Sequence, residues 1–214
     1  MSGARRTVVL FQGDSITDAD RVRTVPGDLG RGYAMIAAGL WGSRHPEQNV
    51  RFLNRGVSGD RVRDLVARWD ADTLSLKPDA VSLLAGINDT WRRFDSGEKT
   101  TPERFEREYR ELIGRTREKL GARMILCEPF VLPVRVGQKR WLKDLDPKRE
   151  IVRTLAEAEG LPLVPLQEQF REAEKRREAS FWLPDGVHPS PAGHALIAGA
   201  WLEAWAAVSS DRSD

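Results

Sequence analysis

The stretch TVVLFQGDSIT, residues 7–17, decides how this chain folds. Thr7 to Phe11 is an apolar, β-branched run too short for a helix, and the Gly13, Asp14, Ser15 that follow are turn formers. A buried strand that ends in a tight turn is the direct reading. Runs of the same kind recur at Val50 to Leu53, Ala80 to Leu84, Arg123 to Cys127 and Leu161 to Val164, each bounded by Gly, Asn or Pro. Five strands are expected.

Helical patterns separate them. The clearest is Pro102 to Leu120, where Phe105, Tyr109, Leu112, Ile113 and Leu120 share one face and Thr101 with Pro102 mark the start. A second is expected from Asp146 and Pro147, carrying Ile151, Val152, Leu155 and Ala156. A third starts at Ser190 and Pro191 and carries Ile197, Ala198, Trp201, Leu202 and Trp205. Further helices are expected over Gly32 to Ser43, Arg61 to Leu76 and Leu166 to Glu178. Strict alternation of strand and helix implies a parallel sheet with right-handed crossovers, covered on both faces. The fold class is therefore three-layer α/β/α. Thr17 to Gly30 and Phe130 to Asp146 look longer than plain connections need, so both are candidate rims of a site, and the second a candidate lid.

With 214 residues, residues 1–214 are expected to form a single domain. Hydrophobic residues at 40% and charged ones at 31% supply a core and a polar surface, which excludes a disordered chain. The net charge of +2, with signs interspersed, argues against a nucleic-acid partner. One cysteine, Cys127, allows no intrachain disulfide and no multi-cysteine zinc site. It reads as a buried strand residue. The apolar run behind Arg5 and Arg6 is shorter than a signal-peptide core, and no segment has the length of a membrane span. A cytoplasmic location without membrane association is the expectation. Exposed tryptophans, if present, would favour a homo-oligomer.

In a doubly wound sheet, ligands bind beyond the carboxyl ends of the strands. There the sequence places Gly13-Asp14-Ser15 after strand one, Asn54-Arg55-Gly56 after strand two and Gly86-Ile87-Asn88-Asp89 after strand three. Asp185-Gly186-Val187-His188 follows the fifth strand and its helix. Ser15, at a strand-to-helix turn, is either a nucleophile or a helix N-cap. A serine hydroxyl needs a base, which His188 can supply, and Asp185 can fix the tautomer of that histidine. The Asn88 amide, Gly56 N–H and Ser15 N–H could converge on a developing oxyanion, although Asn88 and Gly56 taken singly are ordinary turn residues.

These four blocks resemble the SGNH, or GDSL, hydrolase family, and the resemblance spans almost the whole chain. It implies a flavodoxin-like five-stranded fold and a carboxylic ester hydrolase with Ser15 as nucleophile, His188 as base and Asp185 as orienting acid. It further implies Ser15, Gly56 and Asn88 as the oxyanion hole, with no metal or organic cofactor. The wording Gly-Asp-Ser-Ile-Thr, and Thr90-Trp91-Arg92 after the third block, is similar to bacterial acetyl xylan esterases and related carbohydrate deacetylases. The expected substrate is then a small acetylated sugar, a xylo-oligosaccharide first. Trp91 and Trp182, each beside a catalytic block, and Arg92 are its candidate binding residues, with Trp141 in the long loop a further candidate. Core packing is the competing use of each tryptophan.

Other residues are read more plainly. Ser58 is a turn or cap residue, His45 a surface residue, and His194 a packed, hydrogen-bonded helix histidine. Asp14, Asp18, Asp20 and Asp28 lack a compact ligand loop and read as caps and surface charge rather than a metal site. The alternatives are a lipolytic esterase or thioesterase of the same family, lysophospholipase-like, and a noncatalytic sugar-binding module on the same fold. Acyl-chain preference separates the first, and hydrolysis of p-nitrophenyl acetate the second.

Overall fold

The computed structural model describes residues 5–209. Its elements alternate: β1 (Thr7–Gly13), α1 (Ser15–Asp18), α2 (Tyr33–Arg44), β2 (Val50–Asn54), α3 (Val62–Asp72), a 3₁₀ turn (Leu74–Leu76), β3 (Ala80–Leu84), α4 (Ile87–Asp95) and α5 (Pro102–Leu120). Then follow β4 (Arg123–Cys127), α6 (Lys139–Ala158), β5 (Leu163–Val164), α7 (Leu166–Glu174), α8 (Ala179–Trp182) and α9 (Pro191–Ser209). The five strands form one parallel sheet in the order β2-β1-β3-β4-β5. This is the expected three-layer α/β/α arrangement, and the strand order reverses beside β1.

Side chains on successive strand residues point to opposite faces, and the two halves of the core divide accordingly. Val9, Phe11, Ala80, Leu84, Ile125 and Cys127 face the layer of α2 and α9, where Tyr33, Trp41, Ile197, Trp201 and Trp205 pack. Val81, Leu83, Met124 and Leu126 face α3, α5 and α6, with Leu65, Trp69, Phe105, Tyr109 and Leu155. Ser82 is the polar exception on the first face, and its hydroxyl accepts from Trp201 Nε1 at 2.9 Å. A buried hydroxyl with a partner avoids the desolvation cost of an orphan. Burial also pushes the Cys127 thiol up to about 12, the behaviour of an inert core cysteine.

Several sequence expectations change. The segment from Ile87 to Asp95, unassigned above, is helix α4. Helix α6 begins at Lys139, eight residues before Pro147, so the expected start at Asp146 is wrong. Proline normally breaks a helix interior by removing a donor and crowding the preceding turn. Here the carbonyl left without its helical partner is that of Lys143, and, one residue on, the buried Lys148 Nζ donates to the Asp144 carbonyl at 3.1 Å. Trp141 consequently sits on a helix, not a loop, and is buried. Finally, no tryptophan is among the exposed large hydrophobic residues of the described part, so tryptophan exposure gives no ground for self-association. Among the described residues no helix is long and apolar enough to cross a membrane.

Candidate active site

Register brings the chemistry together. Phe11 pairs with Asn54 and Gly13 with Leu84, so the carboxyl ends of β2, β1 and β3 lie level. Asp14 caps α1, its Oδ1 accepting the Ile16 N–H at 3.0 Å. Ser15 is therefore the first residue of α1 and not its cap. Ser15 Oγ lies 2.9 Å from His188 Nε2.

His188 Nδ1 lies 2.7 Å from Asp185 Oδ2. The other carboxylate oxygen accepts the N–H groups of Val187 at 2.9 Å and His188 at 2.7 Å. The Asp185 carboxylate is partly buried, which works against its charge, yet the His188 side chain and the two N–H donors hold its pKa well below the usual range. The hydrogen bond that His188 donates to Asp185 correspondingly raises the His188 pKa, against the opposing effect of burial.

The Asp185 loop is fixed from an unexpected direction. Gln138 Nε2 donates to the Asp185 carbonyl at 2.7 Å, and its Oε1 accepts the Val134 and Arg135 N–H groups. Leu132 N–H donates to the Gly186 carbonyl at 3.0 Å. Phe130, Val131 and Leu132 are buried. The segment after β4 that the sequence offered as a lid is thus a support for the histidine loop. Gln138 escaped notice because an isolated glutamine carries no spacing signal.

Of the oxyanion candidates, Asn88 sits in the first turn of α4, buried, with Nδ2 donating to the Asp60 carbonyl at 3.0 Å. An amide nitrogen has two hydrogens, so one remains to donate. Gly56 is different. Its N–H is taken by Asn54 Oδ1 at 2.8 Å, and its carbonyl accepts from Arg21. A Cβ at Gly56 would lie 2.3 Å from the Asp18 nitrogen, so glycine is required there for close packing. The expected oxyanion role of Gly56 is therefore corrected. Gly59, in the turn between Ser58 and Asp60, has an N–H with no acceptor among the described residues, and so has Ser15. The sequence held both glycines in one short segment and gave no means of choosing.

Ser15, His188, Ser58, Asp18, Asp20 and His194 line a cavity of about 330 Å³. Trp91, Arg92 and Trp182 lie outside that lining. Trp91 is half-buried, its ring 5.8 Å from the His188 ring and 5.1 Å from Trp141. Arg92 pairs with Asp95 and reaches over Gly59. Trp182 donates from Nε1 to the Arg177 carbonyl and meets the Phe181 ring edge-on at 5.0 Å. Only Trp91 of the three expected binding residues has a ring contact with the triad.

Among the described residues there is no group of three or more His, Cys, Asp or Glu placed to hold a metal ion. Asp18 pairs with Arg21 and Arg23, and Asp28 accepts the Val22 and Gly30 N–H groups. Burial raises Asp14 to about 7, its Oδ2 having no partner in the described structure.

A hydroxyl, an imidazole and a carboxylate joined in that order, with the Ser15 N–H lacking an acceptor among the described residues, suit acyl transfer to water. The chain is a carboxylic ester hydrolase of the α/β class, and comparison with known proteins narrows this. It belongs to the GDSL-like lipase/acylhydrolase family, whose model matches residues 11–196. It is 37% identical over 202 residues to an acetylxylan esterase of Geobacillus stearothermophilus, covering 91% of each chain. A crystal structure of acetylxylan esterase from that organism superposes with a TM-score of 0.85 at 35% identity, covering 92% of this chain and 93% of the other. Another structure from it, a mutant described as an acetyl-xylooligosaccharide esterase, gives 0.86 at the same identity and coverage. An alpha/beta hydrolase enzyme from the metagenome of Lake Arreo gives 0.85 at 35% identity, covering 92% and 94%.

Proposed function

We propose that the chain removes acetyl groups from small xylose-derived sugars through an acetyl-enzyme on Ser15, acting as one hydrolase domain in the cytoplasm. The observation that carries this reading is the continuous chain Ser15–His188–Asp185 in a protein akin to an acetylxylan esterase.

In the first step Ser15 Oγ attacks the acetyl carbonyl while His188 Nε2 takes its proton. Asp185 keeps the remaining Nδ1–H in place and stabilises the imidazolium. The oxyanion is met by the Ser15 N–H, the Gly59 N–H and the spare hydrogen of Asn88 Nδ2. Collapse breaks the ester C–O bond, and His188 returns the proton to the departing sugar oxygen. Water then attacks the acetyl-enzyme, again losing its proton to His188, and acetate leaves as Ser15 recovers its hydrogen.

Trp91 offers a flat apolar edge beside His188 on which a pyranose can rest. The test is a panel of acetylated xylose, xylo-oligosaccharides and p-nitrophenyl esters from acetyl to octanoyl. Highest activity on the acetylated sugars, falling as the acyl group lengthens to butyryl, is expected. A preference for octanoyl esters would make the enzyme lipolytic, and no hydrolysis of p-nitrophenyl acetate would leave a binding module.

A further inference from the structure

His194 is the packed, hydrogen-bonded helix histidine that the sequence suggests, and it also lines the same cavity as Ser15 and His188. It lies in the first turn of α9, and the Tyr33 N–H at the start of α2 donates to its Nδ1 at 3.2 Å. Gly32 lets the ring approach, since a Cβ there would stand 2.7 Å from His194 Cε1. A nitrogen that accepts a backbone N–H cannot carry a hydrogen, so the neutral ring must bear it on Nε2. The positive end of α2 also opposes protonation of Nδ1. Burial, with the nearby His188, lowers the His194 pKa to about 4. The ring therefore remains a neutral donor through the pH range in which His188 works as a base. No protein acceptor for Nε2 exists among the described residues.

The opposite need is met on the same cavity. Asp20 is exposed, and among the described residues its carboxylate has neither a hydrogen-bond donor nor an ion-pair partner. Its backbone is held instead: the carbonyl accepts from Arg31 at 2.5 Å, and Ala19 and Asp20 take positive φ of 43° and 57°. A fixed N–H donor and an anionic acceptor across one small cavity match a group that both accepts and donates, which is what neighbouring sugar hydroxyls do.

We propose that this cavity is the leaving-group subsite, with His194 Nε2–H donating to one sugar oxygen and the Asp20 carboxylate accepting from a neighbouring hydroxyl. The inference rests on the sugar esterase reading above and adds the residues that recognise the sugar.

The experiment compares acetylated xylose with ethyl acetate, which has a poor leaving group of its own but no further hydroxyls. The variants are His194→Phe, His194→Gln and Asp20→Gly, the last suited to the positive φ. His194→Phe and Asp20→Gly should each lower the ratio of kcat/KM for acetylated xylose over ethyl acetate about tenfold, the worth of one good hydrogen bond to a polar ligand. His194→Gln should recover part of the loss because its amide N–H can stand near the Nε2 position. Thermal melts separate folding from recognition, and Asp20→Gly tests the subsite even where a His194 variant folds poorly. Equal losses on both esters, or an unchanged ratio, would overturn the subsite while leaving the esterase reading intact. A wild-type enzyme inactive on acetylated xylose would overturn the esterase reading and the subsite with it.

Discussion

Ser15 Oγ and His188 Nε2 stand 2.9 Å apart although 173 residues separate them in the chain. The contact is made by supports on both sides. Asp14 fixes the α1 start, while Gln138 and Leu132 hold the Asp185 loop through its backbone. A hydroxyl positioned in this way need lose little orientational freedom before it reacts.

Ser15→Ala should therefore abolish acetyl-ester hydrolysis and leave the fold as it is. Oγ caps no helix and fills no core space, so the stability change should stay within about 0.5 kcal/mol. Steady-state assays and a urea titration check both halves. Residual activity above a tenth of wild type would remove Ser15 from the mechanism.

Asn88→Ala should lower kcat by roughly 10² to 10³ with a smaller change in KM, the usual effect of losing one oxyanion donor. Because Nδ2 also ties α4 to the Asp60 carbonyl, some loss of melting temperature should accompany it. A change confined to KM would assign Asn88 to binding instead.

The sheet was legible because its strands are short apolar runs closed by turn formers, and Ser15 stood out because its block closes β1; the Asp185 to His188 block lies beyond α7 and α8 and was legible only through the resemblance of the four blocks to a known family. What stayed hidden has identifiable causes. The nine residues of α4 carry the polar Asn88, Asp89 and Thr90 on buried positions, which blurs helical periodicity. In α6, Pro147 gave a false start signal because proline is at home in the first turn of a helix, whereas here it stands in a helix interior. Gly56 and Gly59 differ only in which N–H is already engaged, a matter of tertiary contact. His194 shows the apolar face of α9 to a pattern search, whereas its role depends on Tyr33, 161 residues away.

Asp185→Asn should reduce kcat by up to roughly 10⁴ through the wrong imidazole tautomer. The pH profile adds a second mark. In the wild type the Asp185 hydrogen bond raises the His188 pKa from its ordinary value, so activity should be lost at a higher pH, as pH falls, than an unperturbed histidine would give. Without the carboxylate the remaining activity should lose its acidic limb at lower pH. A kcat/KM profile from pH 4 to 9 reads both, and an unmoved limb would mean that another group titrates.

Asp14 makes the last test, on stability. Its carboxyl is buried, and that burial raises its pKa to about 7, so between about pH 4 and pH 7 the folded protein holds a proton that the unfolded chain has released. Stability contributed by this group must then fall as pH rises through that window, the reverse of the usual surface carboxylate. A rise of that size corresponds to about 4 kcal/mol between the two ends. An asparagine side chain keeps an oxygen for the Ile16 N–H and has nothing to ionise, so Asp14→Asn should flatten the decline. Urea midpoints measured at intervals from pH 4 to pH 8 should show the variant gaining on the wild type as pH increases. Parallel curves for the two proteins would show that Asp14 keeps the same charge throughout, and would point to a partner for Oδ2 that stabilises the ionised form.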